Sequence, residues 1–71
     1  MFKDNFVKIL QERNVSGYKL TKDTGINTAL ISRWKSGEIN PSYEMLIKLA
    51  DYFEVSVDYL MGRTENPEIN R

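Results

Sequence analysis

Thr28, Ala29, Ser32 and Arg33 are the residues of this chain whose types and spacing best suit contact with another molecule. At 3.6 residues per turn they share one side of a helix with Ser36, whereas Leu30, Ile31 and Trp34 fall together on the other. The first set contains no large apolar group. It mixes hydroxyls, a methyl and one guanidinium, types that suit base edges and phosphates in a major groove. A polar outer face is also what any small helical domain turns to water. Trp34 shares the spacing of Leu30 and Ile31, so it is expected in the core and not stacked on a base.

The elements that must position this face are legible from caps and turns. Ser16 and Asn27 are good N-cap residues, whose side-chain oxygens accept amide hydrogens of a helix's first turn. Each is flanked by a hydrophobic-staple pair, Val15 with Leu20 and Ile26 with Ile31, a spacing that fixes how the chain enters a helix. Gly25 stands where the first of these helices must stop, and it takes a left-handed conformation without steric cost. Two short helices separated by a few residues follow, the second starting at Thr28. That is the outline of a DNA-reading helix-turn-helix.

The remaining chain reads as helices packed around this pair. Phe2, Phe6, Ile9 and Leu10 recur at helical spacing and predict a first helix from about residue 2 to 13, with Asn14 as its stop. A loop runs from Gly37 to Pro41. Beyond it Ser42 or Asn40 caps a helix with the apolar stripe Leu46, Leu49, Ala50 and Phe53, widened by Tyr43, Met45, Ile47 and Tyr52. Ser56 caps a short last helix, stapled by Val55 and Leu60 and ended by Gly62. Residues 1–63 are expected to form one domain and residues 64–71 a flexible tail. There is no repeat and no low-complexity tract.

Composition narrows the function classes. With 71 residues the chain is one domain. Without cysteine it has neither a disulfide framework nor a thiolate metal site, and without histidine it lacks the commonest metal ligand and general base. Neither a glycine-rich phosphate loop nor a carboxylate pair set for catalysis is evident, so no enzyme activity, no metal and no cofactor are expected. No apolar run nears the length of a membrane span, and the start Met-Phe-Lys-Asp lacks a signal peptide's apolar stretch; a cytoplasmic protein is expected. Net charge is zero, but it is unevenly spread. Residues 1–37 carry seven basic and three acidic residues, a balance of +4, and residues 38–71 carry three and seven, a balance of −4. The basic half holds the candidate reading helix, and the local field near phosphates matters more than the total.

Several stretches resemble, in order and spacing, the lambda-repressor and Cro (Xre) family of helix-turn-helix regulators over roughly residues 2–63. They are Gly25-Ile26-Asn27, Ile31-Ser32-Arg33-Trp34, Ser36-Gly37-Glu38, Asn40-Pro41-Ser42, Leu49-Ala50-Asp51-Tyr52-Phe53 and Val57-Asp58-Tyr59-Leu60-Met61-Gly62-Arg63. The resemblance implies an all-α, compact five-helix domain, with its second helix across the DNA backbone and its third in the major groove, usually dimeric on a two-fold operator. Four departures stand out. Gly17 replaces the glutamine common at the start of the second helix; Thr21 and Thr24 stand where that helix packs on the third, and their hydroxyls need partners. Leu10 and Lys35 replace a common arginine–glutamate brace, leaving Lys35 for a phosphate. Glu54 occupies a turn position where glycine is frequent.

Carried over residue by residue, the resemblance makes Thr28, Ala29, Ser32 and Arg33 the base-contacting candidates. Arg33 is the sharpest, because its planar fork suits guanine O6 and N7; its plainer use is an ion pair to Asp23 or Glu38. Ala29 and the Thr28 methyl suit a thymine methyl, or merely fill the helix. Ser16, Gly17, Tyr18, Asn27, Lys35, Ser36 and Asn40 are the backbone-contacting candidates, by their places at helix starts and after the third helix. Val57, Leu60 and Met61 exceed what a short last helix needs for its own burial, so they are expected in a dimer interface, as in many relatives, or else they close the core.

The expected function is a sequence-specific, DNA-binding transcriptional regulator, a phage-type repressor acting as a homodimer on double-stranded DNA through the helix at 28–36. The alternative is an antitoxin or other protein-interaction module with secondary DNA binding, whose protein partner is a toxin or an anti-repressor. The acidic half and the altered second helix keep that alternative open.

Overall fold

The computed structural model describes residues 2–66 and residue 68. Five helices and no strand occur among these residues: α1 (Phe2–Glu12), α2 (Gly17–Thr24), α3 (Thr28–Ser36), α4 (Tyr43–Phe53) and α5 (Val57–Met61). α1 stops one residue short of the expected end, at Glu12. No helix is long and apolar enough to cross a membrane.

Each of the last four helices opens on the side chain its sequence offers. Ser16 Oγ accepts from Lys19 N (3.0 Å), Asn27 Oδ1 from Ala29 N (2.7 Å), Ser42 Oγ from Met45 N (3.3 Å) and Ser56 Oγ from Tyr59 N (3.0 Å). Ser42, not Asn40, is thus the cap of α4. The endings are equally regular. Amides two residues beyond the last turn reach back five positions, Val15 N to Leu10 O, Glu38 N to Arg33 O, Val55 N to Ala50 O and Arg63 N to Asp58 O, at 2.9–3.0 Å. These are Schellman endings, which require one left-handed residue each. Asn14 (φ 54°), Gly37 (81°), Glu54 (57°) and Gly62 (81°) supply it.

The core joins all five helices. Phe2 and Phe6 stack at 5.1 Å between ring centroids, and both meet Trp34 edge-on at 6.5 and 6.0 Å. Ile9, Leu20, Ile31, Leu49, Phe53, Val55 and Leu60 fill the rest and are almost wholly excluded from water. A buried side chain of this kind contributes about 1.5–3 kcal/mol, whereas an exposed ion pair contributes about 0–1 kcal/mol. The apolar contacts therefore set the orientation of α3.

Two sequence expectations need correction here. Tyr43 and Ile47 do not widen the α4 stripe; they are 72% and 38% exposed, because the stripe closes at Leu46, Leu49, Ala50 and Phe53. Leu60 is completely buried in its own chain and cannot belong to a surface patch, since its side of α5 faces the core. Beyond Gly62, residues 63–66 and 68 are non-helical and make local turns, Thr64 Oγ1 accepting from Asn66 N (3.1 Å) and Asn66 Oδ1 from Glu68 N (3.0 Å). The expected tail at positions 67 and 69–71 lies outside the described residues.

Two polar ties cross the fold. Arg13 donates Nη1 to the carbonyl of Phe53 at 2.8 Å, placing a cation at the negative end of α4. Tyr52 donates its hydroxyl to Asp23 Oδ2 at 2.5 Å and so links α4 to α2.

Candidate nucleic-acid interface

α3 is held rigidly on its inner side. Ile31 and Trp34 are 1% exposed, and Leu30 is half-buried against the core. Between α2 and α3 lies a turn of only three residues, Gly25 at φ 78°, Ile26 buried and Asn27 capping. The turn closes on itself: Gly25 N donates to Thr21 O (2.8 Å), and Thr24 Oγ1 donates to Leu20 O (2.6 Å) while accepting from Ile26 N (3.2 Å). Thr21 Oγ1 and Thr28 Oγ1 lie 3.1 Å apart in a hydrogen bond that ties the two helices on their solvent side. Thr21 thus finds its partner on α3, and Thr24 finds its partners in α2 and the turn. Gly17 is half-buried, and a Cβ built there would lie 3.6 Å from Ile31 Cγ2, an ordinary contact, so a Cβ is accommodated at this position.

The outer side of α3 is open. Thr28, Ala29, Ser32, Arg33, Lys35 and Ser36 are all exposed, and no large apolar group stands among them. Arg33 Nε pairs with Glu38 Oε2 at 3.6 Å, both side chains exposed. Asp23, the other acid considered for Arg33, is engaged elsewhere: Lys19 Nζ lies 3.2 Å from Asp23 Oδ2, and Tyr52 donates to the same oxygen. The Tyr52 hydroxyl first and then Lys19 hold the Asp23 carboxyl below the usual carboxylate range, and that carboxylate pushes the Tyr52 phenol up.

The backbone-contacting candidates separate into groups. Ser16 and Lys35 line one groove, of about 330 Å³, together with Val7, Leu10, Gln11, Asn14, Val15 and Lys19. The start of α2 and the end of α3 therefore meet, with Leu10 as apolar floor where the family often has a charged brace. Lys35 makes no ion pair among the described residues. Tyr18 is 75% exposed on the first turn of α2. The Asn27 carbonyl oxygen is used by its cap, and the Ser36 hydroxyl is used twice, donating to Arg33 O (3.0 Å) and accepting from Glu38 N (3.3 Å). Asn40 is exposed in the α3–α4 loop, and no hydrogen bond joins it to the other candidates among the described residues.

Three contacts that support this face were not read from the sequence: the Thr21–Thr28 bond, the Tyr52–Asp23 bond and the Arg13–Phe53 bond. The need of Thr21 for a partner was a usable signal for the first. The other two span 29 and 40 residues and leave no local trace.

An all-helical domain that presents one polar helix over a capped, three-residue turn has the architecture of a DNA-reading module. The chain belongs to the helix-turn-helix family, of lambda-repressor and Cro type, and that family's sequence pattern matches residues 8–60. It is 36% identical over 59 residues to the cryptic phage CTXphi transcriptional repressor RstR of Vibrio cholerae, covering 79% of this chain and 53% of that protein. It is 32% identical over 60 residues to an uncharacterized HTH-type transcriptional regulator of Haemophilus influenzae, covering 80% of this chain and 25% of that one. Over 69 residues it is 25% identical to the uncharacterized HTH-type transcriptional regulator YqaE of Bacillus subtilis, covering 97% and 60%. The chain thus spans between a quarter and three fifths of these relatives' lengths. No solved structure matches it.

Proposed function

We propose that this protein is a sequence-specific, DNA-binding transcriptional repressor of phage type that occupies a two-fold operator as a dimer. α3 lies in the major groove, with Thr28, Ala29, Ser32 and Arg33 at base edges. Ser16, Gly17, Tyr18, Asn27, Lys35, Ser36 and Asn40 sit toward the phosphates. The observation that carries this reading is the contrast within α3, whose inner side is locked by Ile31 and Trp34 while its outer side is exposed and polar around Arg33. A rigid helix with an exposed polar face delivers side chains to a groove with less conformational freedom to lose on binding. The name of the Vibrio cholerae relative supports repression as the direction of the effect.

The proposed two-fold operator calls for the dimer. Its half-sites lie ~34–36 Å apart, and each copy offers one reading helix, α3, among the described residues. The second copy docks through Met61, which is 40% exposed, and the half-buried Val57 beside it.

Selection of bound duplexes from a random DNA pool at about physiological salt tests the reading, because nonspecific backbone binding weakens steeply there. The expected product is an inverted repeat with half-sites about one turn apart. Absence of enrichment from folded protein would instead favour an antitoxin-like or other protein-binding role. The uncovered Tyr43 and Ile47 on the acidic half of the chain would then be the first place to seek a partner.

A further inference from the structure

We propose that Glu38 is a positioning residue for base reading: its carboxylate holds the Nε edge of Arg33, so that the terminal nitrogens of the guanidinium stand as a free pair for guanine. The inference rests on Arg33 reading a guanine, as proposed above. Arginine carries five N–H donors, and an end-on pairing with O6 and N7 uses two of them, one on each terminal nitrogen. The Nε edge is the part that such a pairing leaves over, and Glu38 Oε2 stands 3.6 Å from it. An unbraced arginine surrenders much rotamer freedom when it is fixed on a base, and a brace formed beforehand removes part of that loss.

The main chain makes the brace local and dependable. Glu38 N donates to the carbonyl of Arg33 (3.0 Å) and to Ser36 Oγ (3.3 Å), and Ser36 Oγ donates to that same Arg33 carbonyl (3.0 Å). Gly37, at φ 81°, is the left-handed residue that lets the chain fold back in this way. Residues 33 and 38 are thus joined through backbone whatever their side chains do. Other uses of a carboxylate here are poor. An acid at the C-terminal end of α3 opposes the helix dipole, an exposed ion pair adds little stability, and a negative charge beside phosphates repels them. Asp23 does not compete for Arg33, being held by Lys19 and Tyr52.

The test compares binding of the full chain to three duplexes: the selected operator, the operator with the guanine facing Arg33 changed to adenine, and an unrelated sequence. A bidentate arginine discriminates between the first two by about 5- to 150-fold. Glu38→Ala is expected to lower that ratio at least severalfold while binding to the unrelated duplex tightens, because a repelling charge is gone. Glu38→Gln keeps the side-chain length but removes the charge, and at 3.6 Å the contact is an ion pair and not a hydrogen bond. It should tighten unrelated binding and lower the ratio as the alanine variant does. Both positions are exposed, so melting temperatures should stay close to that of the parent. An unchanged ratio in Glu38→Ala, alongside a collapsed ratio in Arg33→Ala, overturns the positioning role alone. An unchanged ratio in Arg33→Ala itself overturns the base-reading assignment and this inference with it.

Discussion

Arg33 shows how one side chain carries two properties that separate experimentally. Its charge favours any DNA, whereas its planar fork favours one base, so Arg33→Ala is expected to cost about 1–3 kcal/mol at the cognate site and much less on unrelated sequence at low salt. Titration of both duplexes checks this; equal losses would reassign Arg33 to the backbone. Glu54 is the residue-scale counterpart for stability. It holds φ 57° at the end of α4 with a full side chain and places an acid at that helix's negative end. Glu54→Gly relieves both, and after the larger unfolded-state entropy of glycine is subtracted it should stabilise by about 0.5–1 kcal/mol, read as a rise in melting temperature. Asn14 holds a similar φ of 54° but is a residue type that tolerates it, so no such gain is expected there.

At the scale of elements, caps and cross-helix bonds add to the apolar packing that orients α3. Asn27→Ala deletes the bond to Ala29 N and should destabilise by about 1 kcal/mol, a drop of about 4–8 °C in melting temperature. Asn27→Asp separates capping from DNA contact. The carboxylate caps as well as the amide, so the melting temperature should hold, while repulsion from a phosphate should weaken binding. Retained affinity in Asn27→Asp would remove Asn27 from the backbone contacts. The Tyr52–Asp23 bond fastens α2 to α4 and carries a pH signature. Asp23 has its pKa lowered by Tyr52 and Lys19, so its contribution is complete above the unfolded carboxylate value, ~3.9, and is lost as pH falls through the folded value. Tyr52 has its pKa raised by Asp23, so its contribution is complete below the unfolded phenol value, ~10, and is lost as pH rises through the folded value. The difference in melting temperature between the parent and Tyr52→Phe should therefore be flat across neutral pH and shrink at both extremes. A constant difference from acid to alkali would mean that the bond does not form in solution.

For the whole molecule, the proposed two-fold operator calls for two copies of a 29 Å domain. Met61→Lys places a charge on the proposed partner-facing side of α5 without entering the core, since Met61 is 40% exposed. Sedimentation should then report a monomer of unchanged helical content, and operator affinity should fall with it. A dimer that persists would move the interface off α5. Leu60 is not suited to such a test, because it is wholly buried in the core where α5 packs on α1 and α4, and a lysine there would unfold the chain.

The local chemistry of this protein was written in its sequence. Ser16, Asn27, Ser42 and Ser56 cap helices because a short oxygen-bearing side chain can reach only the amides just beyond it, and Gly25, Gly37 and Gly62 end helices because they enter the left-handed region freely. The sidedness of α3 was equally legible, since a 3.6-residue period divides nine residues into an apolar and a polar face with little ambiguity. Tertiary structure alone decided which apolar residues remain uncovered. Tyr43 and Ile47 stand beside the α4 stripe yet stay exposed, whereas Leu60 is covered because α5 packs on α1 and α4. It also decided the long-range partners. Asp23 had Tyr52, Lys19 and Arg33 as chemically suitable neighbours, and the packing of α4 into the shared core brought Tyr52 to it, whereas Arg33 meets Glu38 through the local turn at Gly37. Capping is a property of adjacent atoms, whereas pairing across the fold is set by the positions of whole helices, and those follow from burying the core as one body.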